Sequence, residues 1–450
     1  MFSRVLIANR GEIALRVLRA CRELGVETVI TYSKGDAGSH YIELADESVC
    51  IGDAPPAESY LNIPRIISAA EITNVDAIHP GYGFLAEEDN FAEICEESNI
   101  TFIGPRSEVM RKMGNKVEAR RIARDNRVPV IPGSDGPLGN DDEALELAHK
   151  ISYPVIVKAA AGGGGRGMRI AHNDISLQNM LAVARSEASA AFKDPAVYIE
   201  KVIDRARHVE VQILADSHGN IVHLGERDCS IQRRFQKLIE ETPSPGVDDD
   251  TRDKLTRAAV KIARAVGYTN AGTVEFLVDR DRNFYFIEMN ARLQVEHPVT
   301  EEVTGIDLVK EQLRIAAGEK LTLQQKRIES SGCAIECRIN AENPADGFRT
   351  SPGLISEFIP PGGPGIRLDT HAHAGYTVRP HYDSMIAKLI VHQPTRAEAI
   401  AVLRRALGEF VVEGIHTTIP FYRDLIQHAG YVSGDFDSRY VEELIESGSL

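Results

Sequence analysis

Gly272-Thr-Val-Glu275-Phe-Leu-Val-Asp-Arg-Asp-Arg-Asn-Phe284-Tyr-Phe-Ile-Glu288-Met-Asn290-Ala-Arg292-Leu-Gln294-Val-Glu296-His-Pro298 reads as two strands, 272–278 and 284–296, joined by a polar turn. With Arg280 to Asn283 as the loop, antiparallel register sets Glu275 opposite Glu288. Two acids facing each other repel unless a cation lies between them. Alternation along the second strand puts Glu288, Asn290, Arg292, Gln294 and Glu296 on one face, each about 7 Å from the next. Such a polar face suits either a solvated sheet edge or the floor of an active site. The floor reading has a chemistry: Glu275, Glu288 and Asn290 offer the hard oxygen donors magnesium prefers, Arg292 an anion-binding guanidinium, and Glu296 a spare carboxylate for general-base work.

Working outward, Tyr153-Pro-Val-Ile-Val-Lys158 is an apolar strand ending in a cation, followed by Ala-Ala-Ala-Gly162-Gly-Gly-Gly165-Arg-Gly167. Gly162, Gly164 and Gly167 formally satisfy GxGxxG, yet the next residues, MRIAH, read as a strand and not the helix a dinucleotide fold requires. A loop between two strands, rich in backbone N–H groups and preceded by Lys158, is better suited to cover phosphates; a plain linker is the alternative. The chain begins with a β-α-β pattern (strand 4–8, amphipathic helix 11–24, strand 26–32), and apolar pieces at 75–78 and 100–103 extend it into a parallel sheet. Its first turn, Asn9-Arg10-Gly11-Glu12, again lacks a dinucleotide fingerprint. A helical stretch near 106–126 leads to the Pro- and Gly-rich VPVIPGSDGPLG, a domain edge, and then to helix 141–150 and strand 154–160. The remainder mixes strands (208–214, 220–224, 333–339) with helices (251–266, 305–317, 396–408).

At 450 residues the chain is expected to form two or three domains around a cleft. Its net charge of −15 opposes attraction to nucleic acid or anionic membranes, so anionic substrates need a local cationic pocket. Arg227, Arg233, Arg234 and Lys237, gathered in ERDCSIQRRFQK, are a candidate for it, with a solvated loop face as the other reading. Six scattered cysteines without a CxxC pair argue against a disulfide framework or structural zinc, and no apolar run approaches the ~18 residues of a membrane span, so a cytoplasmic location is expected. HExxH and GxSxG motifs are lacking, which disfavours zinc proteases and serine hydrolases.

The ordered signatures IANRGEIALR, HPGYGFLAE, KAAAGGGGRGM, RHVEVQ, ERDCSIQRR, FIEMNARLQVEHPVTE and ECRINAE resemble the biotin carboxylase component of biotin-dependent carboxylases over about residues 2–445. The resemblance implies an ATP-grasp fold: a Rossmann-like N-terminal domain (1–114), an ATP-grasp domain (115–330) with a glycine-loop lid at about 132–203, and a C-terminal α+β domain (331–446). It implies contacts to ATP from Lys116, Lys158, Gly164, Gly165, Glu200, Lys201, Val202, Ile203, His208, Gln232 and Leu277, with magnesium or manganese on Glu275, Glu288 and Asn290. It further implies bicarbonate at Lys237, Arg292, Gln294 and Val295, Glu296 as the base, and biotin at Tyr82 and Arg338. A homodimer, a biotin carboxyl carrier protein and a carboxyltransferase are the implied partners. The chain lacks the Ala-Met-Lys-Met acceptor sequence, so biotin is expected to arrive on another polypeptide. Three positions depart from the family pattern: Phe235 stands where His is frequent, Ala161 where Gly is common, and Ala291 where Thr is frequent, the last expected to point away from the floor. Another ATP-grasp ligase, a nucleotide-dependent oxidoreductase and a regulatory nucleotide binder are the alternatives.

Overall fold

The computed structural model describes residues 1–159, 168–192 and 195–450. Strands β1 (Arg4–Ile7), β2 (Glu27–Ser33), β3 (Glu47–Gly52), β4 (Ala77–His79) and β5 (Thr101–Phe102) form one sheet in the order β3-β2-β1-β4-β5, every pairing parallel as expected. β1 runs into the Asn9-Arg10-Gly11 turn, where Gly11 takes φ +70°, a conformation side chains disfavour. The helix that follows, Gly11–Glu23, is amphipathic as expected, yet its first two turns are covered on every side: every residue from Gly11 to Leu18 is buried. The reason is a second covering layer, since Ile13, Val17 and Leu18 share one core with Leu214, Ala271, Leu308 and Leu313 from later in the chain.

Strands β6 (Val155–Ala159), β7 (Arg169–Ala171) and β8 (Val197–Lys201) form a small antiparallel sheet in the order β7-β6-β8. The segment after Lys158 thus joins two strands, as its sequence suggested; Ala161, Gly164 and Gly165 lie outside the described residues. Helix Asp174–Phe192 packs Leu177 and Leu181 onto Val155 and Val157 of this sheet.

The largest element is an eight-stranded antiparallel sheet. Its strands are β9 (Arg207–Ala215), β10 (Ile221–Arg233), β11 (Gln236–Thr242), β12 (Asn270–Val278), β13 (Phe284–Asn290), β14 (Cys333–Asn340), Ile366–Thr370 and Met385–Gln393. They lie in the order β13-β12-β9-β10-β11-β14, then Met385–Gln393 and Ile366–Thr370. β10 is longer than the 220–224 expected from sequence. Register shifts at His223/Glu226 and near Ile231 keep its polar second half paired, although that half does not alternate cleanly. β13 is shorter than the expected 284–296: its pairing ends at Thr273↔Asn290, and a helix with Pro298 in its first turn begins at His297, so Ala291–Glu296 must turn out of the sheet. Among the described residues no helix is long and apolar enough to cross a membrane.

Phe276 of β12 is fully buried and meets the Phe284 and Phe286 rings edge-on at 5.6 and 6.4 Å, closing the β12–β13 hairpin over the core. Phe276→Ala is expected to destabilise the protein by about 3–5 kcal/mol, measured by calorimetric or denaturant unfolding; a cost below about 1 kcal/mol would show that the hairpin does not depend on this packing.

Candidate active site

A cavity of about 1170 Å³ opens between the small sheet and the eight-stranded sheet. On its upper side stand Lys116, Lys158, Lys201, Val202 and Ile203; Gln232, Leu277 and His208 line its wall. Its floor holds Lys237, Glu275, Glu288, Asn290, Arg292, Gln294, Val295 and Arg338, with Tyr82 at one side. Two of the sequence-expected residues stand behind the wall. Glu200 is 3% exposed, its carboxylate turned to Lys158 (2.5 Å) and Arg120 (3.1 Å), so it orders Lys158 instead of facing the cavity. Glu296 is fully buried directly behind the floor.

Glu275 pairs with Glu288 as expected, but near the turn the register is one residue off the inferred one (Val278↔Phe284), and an irregularity between Glu275 and Phe276 restores the pair. The cations demanded by that opposition are present, Lys237 Nζ lying 3.0 Å from Glu275 Oε1 and Lys116 Nζ 3.4 Å from Glu288 Oε2. Lys237 is the centre of the arrangement. Its ammonium also donates to Glu210 Oε2 (2.7 Å) and Glu296 Oε1 (2.6 Å), so one cation from β11 holds three buried carboxylates. Burial works against a charged lysine, but Cys229 and the three acids outweigh it and hold Lys237 well above the usual ammonium range.

The five side chains from Glu288 to Glu296 reach one site although the strand ends at Asn290. Gln294 Nε2 and Asn290 Nδ2 both donate to Glu275 Oε1 (3.0 and 2.9 Å). Arg292 donates to Gln294 Oε1 (2.6 Å), Asn290 Oδ1 (3.2 Å) and Glu87 Oε2 (2.8 Å). Arg338 then closes the chain, donating from Nη2 to Glu296 Oε2 (2.8 Å) and from Nε to Glu240 Oε1 (2.6 Å). Each oxygen of Glu296 therefore meets a cation. Burial alone would raise its affinity for a proton, but Lys237, Arg338 and Arg227 together hold it well below the ordinary carboxylate range.

Other expectations are corrected. The four cations of ERDCSIQRRFQK do not form one anion site: Arg227 is fully buried against Glu210 (2.6 Å) and Gln212 (2.8 Å), Arg233 stacks on Phe348, and Arg234 is exposed, which leaves Lys237 alone at the cavity. Ala291 borders the cavity, but it is 4% exposed and belongs to the same hydrophobic core as Met289, in keeping with a side chain turned from the floor. Phe235 is 57% exposed at the cavity, with its φ at +64°. His208 lies 3.0 Å from Glu275 Oε2; burial opposes its protonation, but the carboxylate prevails and raises its pKa.

Glu275, Glu288 and the amide of Asn290 form an oxygen set without a thiolate, which fits a hard divalent cation completed by water and phosphate. Two further acidic groupings, His208-Glu210-Glu275 and Glu210-Cys229-Glu296, are centred on Lys237 and Arg227 and are ion-paired clusters.

Sequence reasoning passed over several supports of the site. Asn9 Nδ2 donates to the carbonyls of Pro80 and Tyr82 (2.7 and 2.8 Å), fixing the loop that carries Tyr82. Glu210 was legible only as a lone acid inside the apolar strand VEVQIL, and Glu240 only as one of two adjacent acids in KLIEET.

Glycine-loop strands facing a large antiparallel sheet across a cation-rich cavity define an ATP-grasp enzyme. Family models match as "Biotin carboxylase, N-terminal domain" over residues 1–110, "Carbamoyl-phosphate synthase L chain, ATP binding domain" over 115–324 and "Biotin carboxylase C-terminal domain" over 336–443. Biotin carboxylase 1 of Bacillus subtilis (strain 168) is 55% identical over 450 residues, 100% of both chains. The biotin carboxylase–β-γ-ATP complex from Campylobacter jejuni superposes with a TM-score of 0.96 at 49% identity, over 98% of this chain and 99% of that one. The biotin carboxylase domain dimer of the Hydrogenobacter thermophilus 2-oxoglutarate carboxylase, in complex with MgADP, ADP and bicarbonate, gives 0.96 at 48% identity, over 99% and 98%. The chain belongs to the biotin carboxylase family, ATP-dependent ligases that carboxylate biotin with bicarbonate.

Burial has one measurable consequence beside the site. Desolvation pushes Glu12 up to about 7, only partly offset by Lys388. Because the folded pKa exceeds the unfolded one, the folded state binds more protons, so this group's contribution to stability falls as pH rises from about 4.5 through 7. Glu12→Gln removes the dependence. Its stability relative to the parent is expected to rise by roughly 3 kcal/mol between pH 4 and pH 8; a pH-independent difference in unfolding free energy would contradict it.

Proposed function

We propose that this chain binds ATP between its small sheet and the Leu277 wall, and activates bicarbonate on the Lys237–Arg292 floor for transfer to biotin held at Tyr82 and Arg338. The observation that carries the reading is the placement of Lys237: one ammonium touches Glu275 of the metal set and Glu296, the expected base. The relatives that hold β-γ-ATP, MgADP and bicarbonate support it. Lys116, Lys158 and the glycines near 164 and 165 are assigned to phosphates. Lys201, Val202, Ile203, Gln232 and His208 are assigned to the nucleoside side, with Glu200 acting through Lys158.

Glu275, Glu288 and Asn290 would hold magnesium or manganese, which supplies charge neutralisation at the phosphates. Glu296 is a poor base while two cations grip it. A bicarbonate that enters beside Lys237, Arg292, Gln294 and Val295 draws on the same cations and restores the basicity of Glu296. Glu296 takes the bicarbonate proton, the freed oxygen attacks the γ-phosphorus, and ADP departs to leave carboxyphosphate. Carboxyphosphate splits into CO2 and phosphate. The phosphate removes the ureido N–H proton, and the nitrogen attacks CO2 while Arg338 neutralises the ureido oxygen.

Domain limits of 1–114, 115–330 and 331–446 follow the same reading. In this reading biotin is supplied on a biotin carboxyl carrier protein, and a homodimer working with a carboxyltransferase completes the enzyme. Acetyl-CoA carboxylase is the preferred assembly and a pyruvate or propionyl-CoA carboxylase the alternative. A cytoplasmic location is part of the same proposal.

ADP formation with free biotin, with and without bicarbonate, tests the assignment. Glu296→Ala is expected to lower bicarbonate-dependent ADP release by at least about 10²-fold; an unchanged rate would remove Glu296 from the base role. Arg338→Ala is expected to abolish biotin carboxylation while retaining part of the bicarbonate-dependent ATP cleavage, and equal loss of both would count against its assignment to biotin.

A further inference from the structure

Lys388 takes no part in the chemistry set out above, yet it is a fully buried lysine at the foot of the site. It sits in the apolar strand Met385–Gln393, directly opposite Arg338 of β14. Two cations side by side on one face, both desolvated, are unfavourable unless each has its own partner. Arg338 has Glu296 at 2.8 Å and Glu240 at 2.6 Å. Lys388 has the residue just before Glu296: its Nζ donates to the Val295 carbonyl at 3.0 Å. Neighbouring cations thus grip consecutive residues of one turn, Arg338 by a side chain and Lys388 by the backbone.

Glu12 is the obvious counter-ion, but it stands farther off, at 3.4 Å, and neither of its carboxylate oxygens finds a hydrogen-bond partner. The directional bond of the ammonium therefore goes to the carbonyl. On the other side of the turn, His297 holds the Gln294 carbonyl through its backbone N–H (3.3 Å) and Nδ1 (2.8 Å). The turn has left the sheet at Asn290 and has no ladder of its own, so these contacts fix its backbone. The same ammonium lies 5.7 Å from the centre of the Tyr82 ring, whose loop comes from the N-terminal sheet.

We propose that Lys388 is a positioning residue for the carboxylation reaction: by holding the Val295 carbonyl from behind, it sets the turn that presents Gln294 and Glu296 to bicarbonate. This rests on the assignment of Gln294 and Glu296 to bicarbonate made above. The competing role is purely structural, in which Lys388 serves only to neutralise Glu12.

The two roles separate in a double substitution. Lys388→Met removes the donor and strands Glu12, and Lys388→Met with Glu12→Gln removes the donor but leaves no unpaired charge. Bicarbonate-dependent ADP release is measured for the parent, Glu12→Gln, both Lys388 variants and Glu296→Ala. The double variant is expected to lose about tenfold to a hundredfold in kcat and to raise the bicarbonate KM severalfold, with the ATP KM within about twofold of the parent. Glu12→Gln alone is expected to stay within about threefold. A folded double variant with parental kcat and bicarbonate KM overturns the proposal, as does a double variant that cannot fold, since Lys388 would then be a folding residue first. Full activity in Glu296→Ala would sink the underlying bicarbonate assignment instead, whatever the Lys388 variants do.

Discussion

Three carboxylates that repel one another, Glu210, Glu275 and Glu296, share a single ammonium, Lys237 Nζ, at 2.7, 3.0 and 2.6 Å. Removing so many charges from water is costly, and the arrangement persists because each acid has further donors: Arg227 on Glu210, Asn290 and Gln294 on Glu275, Arg338 on Glu296. The acids come from β9, β12 and the turn after β13, and the lysine from β11. One interaction thus ties three strands of the large sheet to the turn that leaves it.

On the proposed assignment of Glu296 as the base, that constraint also explains how an acid this buried can serve in the role. Glu296 is kept ionised by Lys237 and Arg338, and its proton affinity is kept low by the same two groups. In the proposed mechanism an anion beside them competes for their charge, so the basicity of Glu296 would depend on the presence of the substrate assigned to it. Idle ATP cleavage without bicarbonate then lacks its trigger. The arrangement is also dense in acids: desolvation raises Glu240 to about 7, and burial likewise raises Glu336, paired with it across β11 and β14, well above the ordinary carboxylate range.

Much of this was legible before any coordinates. The Glu275–Glu288 pair was expected from a short polar turn between two alternating runs, although the structure reaches it through a register shift between Glu275 and Phe276 that the sequence did not signal; the strand after the glycine loop followed from the residues MRIAH. Alternation failed beyond Asn290, because β13 has lost its partner and Pro298 opens a helix; the side chains still converge there, through hydrogen bonds instead of pleating. The ERDCSIQRR cluster misled because charge in sequence carries no information on depth: Arg227 is spent on Glu210 and only Lys237 reaches the cavity. Lys388 escaped notice for the complementary reason. Its signal, one lysine in the apolar run MIAKLIV, looks like a strand edge until Arg338 and Val295 are seen beside it.

The central role of Lys237 is tested most directly by Lys237→Gln, assayed for nucleotide binding and for ADP release at saturating ATP with and without bicarbonate. Nucleotide affinity is expected to stay within a few-fold of the parent while the bicarbonate-stimulated rate falls by at least about 10²-fold. A variant that binds nucleotide normally and still responds to bicarbonate at the parental rate would show that the three acids are organised by something other than this ammonium.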